Sequence, residues 1–206
     1  MPDLFAASTS DLPAGLRFKA GLFDRQTQAA LLAAVGQIAA DAPFRRPQTK
    51  GQGRFSAAIT NCGTVGWWSD HKGYRYTPTQ PESDAPWPAM PELFRIAVAA
   101  AVADTAWSRF SPDACLINFY QPTAKMGLHQ DRDERDFNQP IVTISLGDSA
   151  DFLIGGQVRS DKPQVLRVAG GDALIMGPPS RMLFHGVRRI IAGGAGRTSL
   201  TFRKAL

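Results

Sequence analysis

The chain has 206 residues, 44% hydrophobic and 20% charged, and its 23 lysines and arginines outnumber its 18 aspartates and glutamates. This composition is ordinary for a globular protein and excludes fibrous and intrinsically disordered classes, and the length suits one domain with its own core. The positive balance favours a polyanionic partner such as nucleic acid. Because no apolar run approaches the roughly 18 to 20 residues that span a bilayer, we expect a cytoplasmic protein with no membrane association.

The only two cysteines, Cys62 and Cys115, are too few for a disulfide framework. They fit a reducing compartment, where thiols stay free.

The first half of the chain predicts two helices. Residues 1–20 show no periodicity and indicate an extended arm. Asp24 can cap a helix over 25–40, and Pro91 opens a second apolar stripe at helical spacing. The segment 44–91 between them is rich in glycine and proline, which predicts irregular structure.

After Ser111-Pro112 the pattern changes to the period of two that is typical of strands. The predicted strands are 114–121, 126–131, 140–146, 151–154, 164–168, 173–176, 181–187 and 198–203. Two helices followed by about eight short strands predict a mainly β (α+β) fold, a jelly-roll or barrel with helices against one face. We see no repeat or linker and expect a single domain over 1–206.

His129 and Asp131 form an H-x-D pair. Residues two apart on a strand point to the same face, so both side chains could bind one ion. His185 would add a second imidazole and complete two nitrogens and one carboxylate oxygen, the facial triad of non-haem Fe(II) oxygenases. The alternative for each residue is a purely structural role.

Arg197 and Arg203 are an even number of residues apart and should therefore share one face of the last strand. Their Cα atoms would lie about 20 Å apart, and inward-leaning guanidinium groups would leave a gap that suits a five-carbon dicarboxylate such as 2-oxoglutarate. Asn118 and Tyr120 also share a face and could donate hydrogen bonds to the same acid. The alternative for the arginines is a solvated strand or phosphate contacts.

These motifs resemble the signature of the AlkB family of Fe(II)- and 2-oxoglutarate-dependent dioxygenases, the nucleic-acid demethylases. The likeness covers most of the chain after about residue 40. It includes Asn118-x-Tyr120, His129-x-Asp131-x-Asp133, His185, Arg197-x5-Arg203, Asn61-Cys-Gly63, Gly66-Trp67, Gly73-Tyr74, Pro86-Trp-Pro-Ala-Met-Pro91 and Pro112-Asp-Ala-Cys-Leu-Ile-Asn118.

The resemblance implies a double-stranded β-helix catalytic core over about 111–206, preceded by an N-terminal extension, two supporting helices and a nucleotide-recognition lid over about 1–110. It implies that Fe(II) is bound by the catalytic residues His129, Asp131 and His185. The residues implied to bind 2-oxoglutarate are Asn118, Tyr120, Arg197, Ser199 and Arg203. Ser199 stands where the best-known bacterial member has asparagine, and Met176 stands where that member has an aromatic residue.

The resemblance also implies a substrate site. Trp67 would stack on a flipped damaged base, with the ring of His129 on its other face. Tyr74, Arg75 and Tyr76 would lie along the lid beside the substrate, and Asp133 and Arg159 would orient the base.

The activity that the resemblance implies uses O2 and 2-oxoglutarate to hydroxylate the N-methyl group of bases such as 1-methyladenine and 3-methylcytosine, with release of formaldehyde. The expected partner is alkylated single-stranded DNA, with RNA as a further substrate, and the expected state is a monomer. The alternatives are a protein or small-molecule hydroxylase on the same scaffold, and a noncatalytic nucleic-acid-binding module.

Overall fold

Twelve strands and two α-helices make up the part of the chain that the computed structural model describes, residues 12–49, 53–191 and 193–206. The helices are α1 (Arg25–Asp41) and α2 (Glu92–Val102). The strands are β1 (Leu16–Lys19), β2 (Ala58–Gly63), β3 (Gly66–Asp70), β4 (Gly73–Thr77), β5 (Ala114–Tyr120), β6 (Met126–His129), β7 (Ile141–Gly147), β8 (Ser149–Ile154), β9 (Gln164–Val168), β10 (Ala173–Met176), β11 (His185–Ile191) and β12 (Arg197–Arg203).

The strands form two larger antiparallel sheets and one hairpin. The major sheet has the order β1-β10-β7-β12-β5-β2, the minor sheet has the order β6-β11-β8-β9, and β3 pairs with β4 alone. From β5 onward the chain crosses repeatedly between the two sheets, as in a jelly-roll. The predicted mainly β architecture with a double-stranded β-helix core is confirmed.

Both faces of the major sheet are covered. One face packs against the two helices in a core that includes Phe94 of α2 with Leu200 and Phe202 of β12. The other face meets the minor sheet, where Met176 of β10 and Phe152 of β8 belong to a second core. Alternate residues of one strand therefore point toward the helices and toward the space between the two sheets.

Local signals account for the two helices. The Asp24 side chain accepts a hydrogen bond of 2.8 Å from the backbone N–H of Thr27, which caps α1 as predicted. Pro91 precedes the first turn of α2, whose buried stripe includes Val98 and Ala101. No helix in the described ranges is long and apolar enough to cross a membrane.

Three predictions about local structure need correction. The segment 44–91, predicted to be irregular, contains the three strands β2, β3 and β4. The prediction was wrong because glycines and prolines are frequent in this segment, and because β3 is buried on both faces and shows no alternation of apolar and polar residues. The predicted strand 181–187 instead starts at His185, after a 3-10 turn over Ser180–Met182. The arm predicted over 1–20 contains β1, which pairs with β10, and residues 1–11 of that arm lie outside the described residues.

Candidate active site

Strand register brings the three predicted metal ligands together. His185, the first residue of β11, is the cross-strand partner of His129 at the end of β6, and Asp131 follows two residues later. The Nε2 atoms of His129 and His185 lie 3.8 and 3.6 Å from the carboxylate oxygens of Asp131. One ligand atom from each residue lies within 4.8 Å of the others, so the three can hold one ion. Two imidazoles and a carboxylate are the donor set that suits Fe(II).

Backbone carbonyls fix the orientation of both imidazoles. Nδ1 of His129 lies 2.9 Å from the carbonyl oxygen of Gly127, and Nδ1 of His185 lies 3.1 Å from that of Leu183. Since a carbonyl only accepts, each Nδ1 carries the proton and each Nε2 presents its lone pair toward Asp131. Partial burial and the neighbouring His185 lower the pKa of His129 to about 4, which favours the neutral ring that a metal ligand must have.

Asp131 is ionised for a different reason. Burial raises the pKa of this carboxyl, but Arg203 and the two imidazoles outweigh burial, and the net pKa lies well below the ordinary value. Arg203 donates from Nη2 to Oδ2 of Asp131 over 2.8 Å. The metal centre and the predicted co-substrate site are therefore in direct contact.

The predicted co-substrate residues lie on two neighbouring strands of the major sheet. Arg197 is the register partner of Tyr120, and Ser199 is the partner of Asn118, so the four side chains project into the space between the sheets. Arg203 lies at the far end of the same face of β12, as its even spacing from Arg197 predicts.

The two arginines are buried and incompletely satisfied. Arg197 is 2% exposed, donates to Oγ of Ser145 over 2.9 Å and lies 5.3 Å above the Tyr120 ring. Within the described residues, the Nε atoms of Arg197 and Arg203 and the Oδ1 atom of Asn118 have no hydrogen-bond partner. Nε of Arg203 nevertheless lies 3.5 Å from Oε1 of Glu134, so Arg197 is the arginine that lacks an anionic partner among the described residues. Because buried polar groups are normally paired, Arg197 fits a diacid that supplies a carboxylate acceptor.

One cavity of about 570 Å³ joins the metal and co-substrate residues to part of the predicted substrate site. The predicted residues that line it are His129, Asp131, His185, Asn118, Tyr120, Arg197, Ser199, Arg203, Trp67, Tyr74, Asp133 and Arg159. Met176 also lines the cavity.

An aromatic wall closes one side of this cavity. The rings of Trp67 and Tyr74 lie 5.4 Å apart, and Phe55 meets the Trp67 ring edge-on at 5.8 Å. Nε1 of Trp67 donates to Oδ2 of Asp133 over 2.7 Å, which fixes the indole plane. Trp68, the next residue, points away from this wall and packs under the guanidinium of Arg45.

Arg75 and Tyr76, which were predicted to lie along the lid beside the substrate, are not among the residues that line the cavity. Arg75 forms a two-pronged ion pair with Asp70 at 2.9 and 2.8 Å on the opposite face of the β3–β4 hairpin from Trp67. The Tyr76 hydroxyl donates to Oε1 of Glu134 over 2.5 Å and accepts from Nη1 of Arg203 over 3.2 Å. The Tyr76 hydroxyl therefore contacts the guanidinium group of Arg203, a predicted co-substrate residue.

Sequence reasoning missed a buried ion pair behind the metal site. Arg181 is 2% exposed, donates to Oε2 of Glu134 over 2.8 Å and donates to the carbonyl of Asp131 over 3.0 Å. Sequence reasoning also did not identify Phe55 and Phe152, which line the cavity, or Ser145, which accepts a hydrogen bond from Arg197. Glu134 follows the H-x-D-x-D run directly, which is a signal for it, whereas the sequence offers none for Arg181.

The family model described as the 2OG-Fe(II) oxygenase superfamily matches residues 15–203. The chain is 44% identical over 180 residues to the alpha-ketoglutarate-dependent dioxygenase AlkB of Salmonella typhimurium, covering 85% of this chain and 83% of that protein. It is also 44% identical over 192 residues to the AlkB homolog of Caulobacter vibrioides, covering 90% and 85%.

A solved structure, "The structure of OsALKBH1", superposes with a TM-score of 0.82 at 31% identity and covers 93% of this chain and 99% of that chain. The cofactors of this family are Fe(II), 2-oxoglutarate and O2; the donor set of the triad fits the iron, and the buried Arg197 fits the acid. The chain therefore belongs to the 2OG-Fe(II) oxygenase superfamily and is an Fe(II)- and 2-oxoglutarate-dependent dioxygenase of the AlkB kind.

Proposed function

We propose that this dioxygenase removes N-methyl groups from alkylated bases of DNA, of the 1-methyladenine and 3-methylcytosine type, and acts on RNA as well. The observation that carries the proposal is the aromatic wall of Phe55, Trp67 and Tyr74, which shares one cavity with the triad. Two relatives that match about half of the chain are named a DNA N(6)-methyladenine demethylase of Arabidopsis thaliana and a tRNA demethylase of Schizosaccharomyces pombe.

His129, Asp131 and His185 would hold Fe(II), and Arg197, Arg203, Asn118, Tyr120 and Ser199 would hold 2-oxoglutarate. When bound, these groups supply, with O2, the oxidising power that hydroxylates the N-methyl carbon, after which formaldehyde leaves and the base is restored. The protein itself would position the reactants. Backbone carbonyls orient the two imidazoles, buried guanidinium groups would bind the acid, and the aromatic wall would hold the methyl group within reach.

Trp67 and Asp133 would recognise the damaged base through its charge. Bases methylated on the Watson–Crick edge are cationic near neutral pH, and an indole face favours a cation by about 0.5–2 kcal/mol. Asp133 accepts from Trp67 with Oδ2, and its other oxygen would accept from the base. Arg159 lines the same cavity and would help to orient the base.

Single-stranded DNA would be the preferred substrate, because an unpaired base reaches the pocket without the cost of extrusion. We further propose that Tyr74 lies beside the substrate and that the chain works as a monomer of one domain in the cytoplasm. Arg75 and Tyr76 would act indirectly, through Asp70 and through Arg203 respectively.

The decisive experiment measures formaldehyde release from a panel of methylated oligonucleotides, with iron and 2-oxoglutarate each omitted in turn. We expect release from 1-methyladenine and 3-methylcytosine substrates that stops when either is absent. Succinate formation that no oligonucleotide stimulates would reject nucleic-acid demethylation in favour of another hydroxylase substrate.

A further inference from the structure

The outer face of the minor sheet carries one carboxylate surrounded by three arginines, which we call the arginine plate (Asp151, Arg167, Arg188 and Arg189). Asp151 of β8 is the register partner of Arg167 on β9 and of Arg189 on β11. Nε of Arg167 lies 2.9 Å from Oδ1 of Asp151, and Oδ2 accepts from Nη2 of Arg188 over 2.6 Å and from Nε of Arg189 over 2.9 Å.

The arginine plate carries a net positive charge. Asp151 is 0% exposed, whereas the side chains of Arg188 and Arg189 are 51% and 61% exposed, so the guanidinium groups cover the acid from solvent. Burial raises the pKa of Asp151, but the arginines outweigh burial and the net pKa is lowered, so the acid is ionised at neutral pH. Three cations against one anion leave a surplus of two positive charges, held in fixed positions.

The exposed arginines retain hydrogen-bond donors. Arg189 uses only Nε on Asp151, and Arg188 uses only Nη2. In the part of the chain that the structure describes, their other N–H groups have no protein acceptor. A guanidinium fork with free donors matches the geometry of a phosphate group.

The plate lies on the outer face of the same sheet whose inner face lines the cavity. β11 begins with His185 in the cavity, and Arg188 and Arg189 follow three and four residues later, on the order of 10–13 Å along the strand. Arg159, which lines the cavity, lies in the loop that joins β8 to β9, the two strands that carry Asp151 and Arg167.

We propose that the arginine plate is a second contact for the phosphate backbone of the nucleic-acid substrate, a few nucleotides away from the base in the cavity. This inference rests on the proposed function, because it requires a nucleic-acid strand held at the cavity mouth. It predicts that the plate contributes to the affinity for long nucleic-acid strands and to the salt dependence of that affinity. It also predicts that the plate does not change the rate of demethylation of a short substrate.

The test compares the double variant R188E/R189E with R25E/R95E, which makes the same charge change at exposed positions on α1 and α2 behind the major sheet. A milder variant, R188Q/R189Q, removes the charges without placing new acids beside Asp151. Each protein is assayed for demethylation of a methylated trinucleotide and for equilibrium binding, without 2-oxoglutarate, to a methylated single strand of about 15 nucleotides, long enough to cover several phosphates.

We expect all variants to demethylate the trinucleotide at the wild-type rate, which also shows that they are folded. Losing two phosphate contacts should reduce the slope of log affinity against log salt by about 1.4 for a single strand. Between about 50 and 200 mM salt, the wild type would then lose about sevenfold more affinity for the long strand than either plate variant.

Equal salt slopes for the plate variants and R25E/R95E would overturn the inference while leaving demethylation intact. A wild-type enzyme that demethylates neither substrate would instead overturn the proposed function, and the inference with it.

Discussion

Replacing Arg181 by methionine tests the buried ion pair behind the metal site. The change removes donors to the Glu134 carboxylate at 2.8 Å and to the Asp131 carbonyl at 3.0 Å. Both charged side chains are nearly inaccessible, at 3% and 2% exposure, so Glu134 would remain as a buried anion. Breaking such a pair costs about 3–5 kcal/mol. Because Glu134 keeps Tyr76 as a donor and its Oε1 lies 3.5 Å from Nε of Arg203, we expect the lower end, about 3 kcal/mol.

The assay is a double-mutant cycle with E134L, in urea unfolding and in thermal melts. For a chain of this length, about 3 kcal/mol corresponds to a fall in Tm of about 6–12 °C. The double variant R181M/E134L should lose less stability than the sum of the two single losses, because each single change leaves part of the same buried ion pair without its partner. The exposed control R95M should change the free energy of unfolding by less than about 0.5 kcal/mol. A double variant that loses the sum of both single losses would refute the coupling.

Four further predictions concern the metal, the co-substrate, the base and the β3–β4 hairpin. His185→Ala should abolish iron retention, measured by metal analysis, and reduce succinate formation to the level without iron. Arg197→Lys should raise KM for 2-oxoglutarate about tenfold or more, because a lysine cannot replace the buried guanidinium fork. Trp67→Leu should raise KM for a 1-methyladenine oligonucleotide by about 2- to 30-fold and leave KM for 2-oxoglutarate unchanged. The hydrogen bond from Arg75 lowers the pKa of Asp70 below its ordinary value of 3.8. The ionised Asp70 therefore stabilises the folded state above about pH 4, and this stabilisation is lost as the pH falls from there through the lowered pKa. D70N should therefore flatten the pH dependence of the urea midpoint below about pH 4, and an unchanged profile would contradict the assignment.

The sequence predicted which side chains of two strands line one cavity, because spacing alone determines which side chains share a face of a strand. Arg197, Ser199 and Arg203 line the cavity as their even spacing requires. Asn118 and Tyr120 do so for the same reason on the adjacent strand.

The hairpin and the ion pair could not be predicted in the same way. β3 and β4 lie in a segment whose glycines, prolines and buried aromatic residues hide the alternation of a strand. The contact of Tyr76 with Arg203 joins residues 127 positions apart, and that of Arg181 with Glu134 joins residues 47 apart. Such contacts depend on how the sheets cross, which local pattern does not encode.

The two outermost strands of the major sheet, β1 and β2, both come from the half of the chain that precedes the predicted catalytic core. A fragment consisting only of residues 111–206 would thus expose hydrogen-bonding groups along β10 and β5, together with the apolar surface that α1 and α2 cover. Unpaired edges of this kind recruit other strands. Attempts to shorten the enzyme to its catalytic half should accordingly yield aggregates.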